Sequence, residues 1–489
     1  MKTVNLASHR RWQMRLLALV LGCLPFVLAE LALRISGLPP QAPAVDPLVD
    51  LHHLQPLFTL STDGQTYSIG PGRLNLFRPA SFQANKPPGS FRIFALGAST
   101  TQGEPYSTPT AFPAWLRINL EVATGGRAIE VINCGGLSYA SYRVKAILDE
   151  VLNYQPDLIV IYSGQNEFLE ERSYAGWRDV PFPLARASSW LGHVRLVQFM
   201  RWAVQGSGDR AERRLSNPTE LKREVDALLD YSGGLEAYHR DDAWREPVVA
   251  HFRWNLSRMV ERCQAARVPV ILMRPVVNLL DCPPMKSEVR SDLTPDQLER
   301  FTSAWNAARQ NPDQPVEAVV KHLQVAYAID PGHADVNFFL GRLAWQAGRW
   351  EEAAEYLRTA KDVDVCPLRA LTSIQDAVRE VAQQAHVPMI DADQLFSQRS
   401  PHGIVGNQWL VDHVHPTIEG HQLLGEALCE EILRQGWLGV VDPKWRDTRT
   451  ERVRSHLSSL GEDYFHRGKQ RLEGLLLWTQ GRAKKIRLE

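Results

Sequence analysis

Five short β-rich runs, at 91–96, 129–133, 157–163, 268–275 and 387–391, alternate with helical patterns at 112–122, 141–153, 248–266 and 368–385. This alternation is the strongest constraint on the fold. Runs that are mostly apolar, with no polar position at every second residue, are buried on both faces. Strands separated by helices pair in parallel. The expected architecture is therefore α/β: a parallel sheet covered by helices on both sides. Such folds place their chemistry in the loops at the carboxyl ends of the strands.

The whole chain has 489 residues, room for two to four units at about 150 residues each. It carries 14 Trp, 16 Phe and 12 Tyr, ample material for a large core. Basic and acidic residues number 55 each, so a nucleic-acid partner, which calls for a basic stripe, is not expected. None of the six cysteines forms a CxxC pair, which leaves no zinc or thioredoxin signature.

At the N-terminus, Lys2, Arg10, Arg11 and Arg15 precede an uncharged apolar run at 16–29. Basic residues before an apolar run keep the N-terminus in the cytoplasm and send the rest outward. Residues 1–36 are thus either a cleaved signal peptide or a retained membrane anchor. The anchor is favoured because apolar residues continue beyond Ala29. The body of the protein is expected outside the cytoplasm, in the cell envelope.

Residues 37–90 are rich in Pro and Gly and read as a linker. The sheet segments then fall at 91–167, 246–282 and 366–438. Two helical inserts interrupt them, at 168–245 and 283–365. In the second, Leu340-Gly341, Ala353, Leu357 and Ala360 have tetratricopeptide-type spacing. Leu323, Ala326 and Pro331 stand at matching places one repeat earlier. The tail at 439–489 reads as helical and charged, its basic end a solvated face.

Four loops carry candidate chemistry. Gly97-Ala98-Ser99 places a serine just beyond the first strand. The second strand ends in small residues from Asn133 through Gly135 and Gly136 to Ser138, where backbone N–H groups can approach an anion. Gly164-Gln165-Asn166-Glu167 follows the third strand and offers a side-chain amide. Near the end, Asp412-His413-Val414-His415-Pro416 sets a carboxylate three residues before a histidine, which can fix the tautomer of a base.

In order and spacing, these blocks resemble the SGNH hydrolases, the GDSL-type esterases. The resemblance implies a flavodoxin-like three-layer α/β/α sheet with helical insertions. It implies Ser99 as nucleophile, His415 as general base and Asp412 as its orienter. The oxyanion would be held by Ser99, Ser138 and Asn166. The second block departs from the pattern: Ser138 stands where the family has Gly, and Gly136 is the alternative donor. Ala98 replaces the usual Asp. His413 and His415 form an HxH pair, but no other ligand cluster accompanies it and no metal or cofactor is expected.

The function implied is hydrolysis of an acyl ester, an acetyl ester above all, on a cell-envelope or secreted polysaccharide. Two alternatives stand beside it. One is O-acyl transfer from the same acyl-serine. The other is a membrane-tethered scaffold with an inactive site, whose repeat-like insert binds a protein partner. Finally, Cys282 and Cys366 bracket the second insert. A disulfide there would stabilise by up to about 4–5 kcal/mol in the chain-entropy model. The other reading is two thiols in a packed neck.

Overall fold

The computed structural model describes residues 54–170, 234–310, 313–439 and 442–480, with scattered positions between 22 and 51 and at 219–221 and 225. The basic N-terminal stretch, most of the first insert and the basic end at 483–487 lie outside the described residues. The described positions from 24 to 33 are helical and expose Leu24, Phe26, Leu28 and Leu31. Among the described residues, no helix is long and apolar enough to cross a membrane.

The chain divides into two units, residues 1–50 with 172–220 and residues 51–171 with 221–489. In the first, Val49–Asp50 pairs in parallel with Thr219–Glu220. Everything below concerns the second.

Part of the expected linker is folded. Strands β1 (Phe58–Leu60), β2 (Thr66–Ile69) and β3 (Ser81–Gln83) form a three-stranded antiparallel sheet. Two things hold it to the core. The Phe82 ring meets Phe94 edge-on at 5.4 Å, and Glu150 accepts from the Leu57 and Phe58 N–H groups at 2.6 and 2.8 Å. Pro and Gly correctly marked turns here, but the docking partners lie far along the chain.

The main sheet contains β4 (Phe91–Gly97), β5 (Ile129–Gly135), β6 (Leu158–Tyr162), β7 (Val270–Arg274) and β8 (Met389–Asp391). All pairs are parallel, in the order β5-β4-β6-β7-β8. Counted within this sheet, the order is that of the flavodoxin-like folds, as expected. β4, the first strand of this sheet in the chain and paired on both sides, is the strand on which the site is built. Its register sets Gly97 against both Gly135 and Tyr162, so three strands end level.

The helices are α1 (Ser99–Gln102), α2 (Phe112–Ala123), α3 (Ser141–Val151), α4 (Asp242–Ala265), α5 (Pro295–Gln310), α6 (Val316–Ile329), α7 (Ala334–Gln346), α8 (Trp350–Asp362), α9 (Thr372–Ala385), α10 (Ala392–Ser397), α11 (Ile418–Arg434), α12 (Trp445–Ser459) and α13 (Glu462–Gln480). Phe112, Leu116 and Leu120 on α2, and Leu424, Leu428 and Ile432 on α11, recur every fourth residue. They pack with Ile93 and Ala95 of β4. Helix α4 packs between α3 and α9 in a separate layer. In the tail, Tyr464 bonds Thr110 at 2.7 Å and His456 meets the Pro109 carbonyl at 2.9 Å, so α12 and α13 are docked elements.

Helices α5 to α8 form two antiparallel hairpins around one apolar cluster. Leu323, Ala326, Ala353, Leu357 and Ala360, chosen for their repeat spacing, are all buried. A Cβ on Gly341 would lie 2.7 Å from Leu357 Cγ, which is why α7 and α8 can cross so closely.

The neck of this insert is not closed by a disulfide. Cys282 and Cys366 are both buried thiols. Asp364 closes it instead, accepting from the N–H groups of Met285 at 2.8 Å and of Lys286 and Cys366 at 3.1 Å. Arg369 adds a bond to the Cys282 carbonyl at 2.7 Å. The entering and leaving chains do meet, but a carboxylate joins them.

Candidate active site

Ser99 opens α1 immediately after β4, with Ala98 in extended conformation at the N-cap. Both flanking glycines are required by close approach. A Cβ on Gly97 would lie 2.3 Å from the Tyr162 carbonyl oxygen, and one on Gly135 would lie 2.3 Å from the Gln102 nitrogen. The turn is therefore pressed against both neighbouring strands, which holds the serine backbone firmly.

The histidine arrives from the other end of the sequence. Residues 409–417 form a tight hairpin, closed by Val411 N–H to the His415 carbonyl and Thr417 N–H to the Trp409 carbonyl, each 2.8 Å. Thr417 then caps α11 by accepting from the Gly420 N–H at 3.0 Å. Within the hairpin, Asp412 Oδ1 accepts from the backbone N–H of Val414 at 2.9 Å and of His415 at 2.7 Å. This local turn is what the spacing of three residues encodes.

Asp412 Oδ2 accepts from His415 Nδ1 at 2.7 Å, and His415 Nε2 lies 2.8 Å from Ser99 Oγ. Asp412 and His415 are 5% and 6% exposed, so their mutual attraction is little screened. Burial alone would raise the Asp412 carboxyl, but the imidazoles of His415 and His413 hold it well below the usual carboxylate range. Burial pulls His415 down, yet Asp412, with a smaller contribution from Glu104, raises it above the ordinary imidazole value. His421 behaves differently. Burial pushes it down to about 3, and its Nδ1 accepts from the Phe112 N–H at 3.2 Å, so it is a neutral cap for α2.

The expected oxyanion donors follow the two strands flanking β4. Gly136 donates its N–H to the Gly97 carbonyl at 3.1 Å and is thereby committed to the backbone. Ser138 has φ of 59°, the left-handed region that a glycine would occupy at no cost. Asn166 donates one amide hydrogen to the Tyr139 carbonyl at 3.2 Å, which seats its side chain beside Ser138 and leaves a second hydrogen. Glu167, next in that block, accepts from the Ser141 N–H and hydroxyl, each at 2.8 Å, and anchors α3.

Sequence reasoning missed Asn278, on the loop after β7. Its side-chain amide donates to the Asp412 carbonyl at 3.0 Å, and its N–H donates to the His413 carbonyl at 3.0 Å. Location at a strand's carboxyl end was the sole signal for it. Asp412, His413 and His415 bring ligand atoms within 4.8 Å of one another. For His415, however, both ring nitrogens are engaged by Asp412 and Ser99.

Residues 304–365 match the tetratricopeptide repeat family. No characterised protein matches the chain as a relative by sequence. Among solved structures, it is similar to a lipase/acylhydrolase from Enterococcus faecalis at 15% identity and TM-score 0.32, covering 72% of this chain and 98% of that one. It is also similar to an acetylxylan esterase from Geobacillus stearothermophilus at 13% identity and TM-score 0.30, covering 70% and 94% respectively.

Proposed function

We propose that this protein is a serine hydrolase of acyl esters. The observation that carries the reading is the unbroken contact from Asp412 through His415 to Ser99, at 2.7 and 2.8 Å. Ser99 Oγ attacks the ester carbonyl while His415 Nε2 takes its proton. The N–H groups of Ser99 and Ser138 and the Asn166 amide hold the oxyanion. His415 returns the proton to the leaving alcohol. Water, deprotonated by His415 in turn, then releases the acid and regenerates Ser99.

The finer reading is an acetyl ester on a carbohydrate, met outside the cytoplasm by a membrane-held enzyme. Its supports are the SGNH resemblance and the basic-then-apolar N-terminal sequence. Labelling with a fluorophosphonate, and loss of the label in Ser99→Ala, tests the nucleophile. No labelling at any pH between about 6 and 9 overturns the enzyme and leaves the scaffold. Free acetate measured against acetylated glycan from one acetyl donor separates hydrolysis from transfer.

A further inference from the structure

The helical insert is joined to the triad by a continuous run of hydrogen bonds. Arg342, on α7, donates from Nη1 to the Leu280 carbonyl at 2.9 Å and to Asp281 Oδ1 at 2.7 Å. Asp281 Oδ2 accepts from the Asn407 N–H at 2.8 Å, and the Asp281 N–H donates to Asn278 Oδ1 at 3.0 Å. Asn278 then bonds Asn407 Oδ1 at 2.8 Å and the Asp412 carbonyl at 3.0 Å. Asn278 is 1% exposed, so each of these bonds replaces one that water cannot supply.

Two further features point the same way. A Cβ on Gly406 would lie 2.4 Å from Asp281 Oδ2, so the hairpin's leading arm leaves out a side chain where the carboxylate sits. Leu280 and Ile404, on the two loops that meet here, are buried in the insert's own apolar cluster with Leu340 and Leu343. The arm that delivers Asp412 and His415 is thus packed into the insert.

We propose that Arg342, Asp281 and Asn278 are positioning residues for the triad, which makes the helical insert a support of the active site. This rests on the hydrolase reading of Ser99. Without Arg342, the Asp281 carboxylate turns to solvent and the Asn407 N–H loses its acceptor; Asn407 Oδ1 then holds the Asn278 amide less firmly, and the 409–417 hairpin shifts against Ser99. Small displacements of a base are expensive: about 1 Å costs up to roughly a hundredfold in rate.

The test uses the full chain with p-nitrophenyl acetate as substrate and a fluorophosphonate as probe. In Arg342→Ala, kcat and the labelling rate of Ser99 are expected to fall together by about 10- to 100-fold, with KM nearly unchanged. The acid limb of the pH profile moves to lower pH as His415 loses a well-seated Asp412. Arg342→Lys recovers part of the rate, because an ammonium can still meet Asp281. If Arg342→Ala does not fold, Gly406→Ala displaces the same carboxylate. A folded variant that melts lower while its labelling rate and acid limb match wild type overturns the proposal and leaves Ser99 as the nucleophile. Equal labelling of wild type and Ser99→Ala overturns the hydrolase reading itself.

Discussion

The Gly136 N–H donates to the Gly97 carbonyl at 3.1 Å, extending the β4–β5 ladder one step past the strands. The next turn of the loop carries Ser138, at φ of 59°, the residue proposed to give its backbone N–H to the oxyanion. A non-glycine residue in this region stores roughly 1 kcal/mol or more. Ser138→Gly is expected to stabilise the fold slightly and keep kcat, because the N–H is unchanged. Ser138→Pro removes that N–H and, with φ fixed near about −65°, also rebuilds the turn, so kcat is expected to fall by about 10²–10³-fold or more. Kinetics on an activated acetyl ester check both. An active proline variant would exclude this N–H from the oxyanion site.

His415→Ala is expected to abolish turnover, and Asp412→Asn to leave a small remnant, about 10⁴-fold down, because the amide can still hold the turn but not the charge. The sign of the pH dependence follows from the base being neutral. Activity rises as pH rises through the His415 value, which lies above the ordinary imidazole value in the native site. In Asp412→Asn, the acid limb moves down, since burial then acts without its counter-charge. A pH profile of kcat/KM measures this. His413 lies 3.2 Å from Asp412, whereas the imidazole that meets Ser99 is that of His415, so His413→Ala should reduce the rate only modestly.

Asp364 makes the neck of the insert pH-dependent. Burial pushes its carboxyl up to about 6, against the opposing pull of Arg369 and three backbone N–H groups. With the folded value above the unfolded one, its contribution is complete below about pH 4 and is lost as pH rises towards 6. That is roughly 3 kcal/mol across the window. The stability difference between wild type and Asp364→Asn should shrink by about this amount between pH 4 and 7. Urea unfolding at the two pH values measures it, and a constant difference would refute it.

Gly341→Ala is expected to destabilise by about 1–3 kcal/mol, because its Cβ would meet Leu357 Cγ at 2.7 Å and the Leu357 nitrogen at 3.2 Å. Thermal unfolding checks the magnitude. Limited proteolysis should then cut the variant between 283 and 365 before the sheet segments.

The five strands were legible because each is an apolar run of the right length, and the order of the catalytic blocks followed because each ends one strand or opens one helix. Ser99, Asn166, Asp412 and His415 could be named from short, contiguous signals. The local turn that brings Asp412 to His415 is encoded within three residues. Ser138 could not be separated from Gly136, since the choice depends on which N–H the neighbouring strand consumes.

Sequence alone settled what was local: strand identity, the glycines at strand ends, the repeat spacing of the insert and the residue types of the triad. Tertiary structure decided what depends on partners distant along the chain. It showed that residues 58–83 dock through Glu150, that Asp364 rather than a disulfide closes the neck, and that Arg342 reaches Asp412 through Asp281 and Asn278. A hydrogen bond between residues 61 positions apart, such as Arg342 to Asp281, leaves no periodicity in either segment. Its existence depends on where folding brings the two chains together.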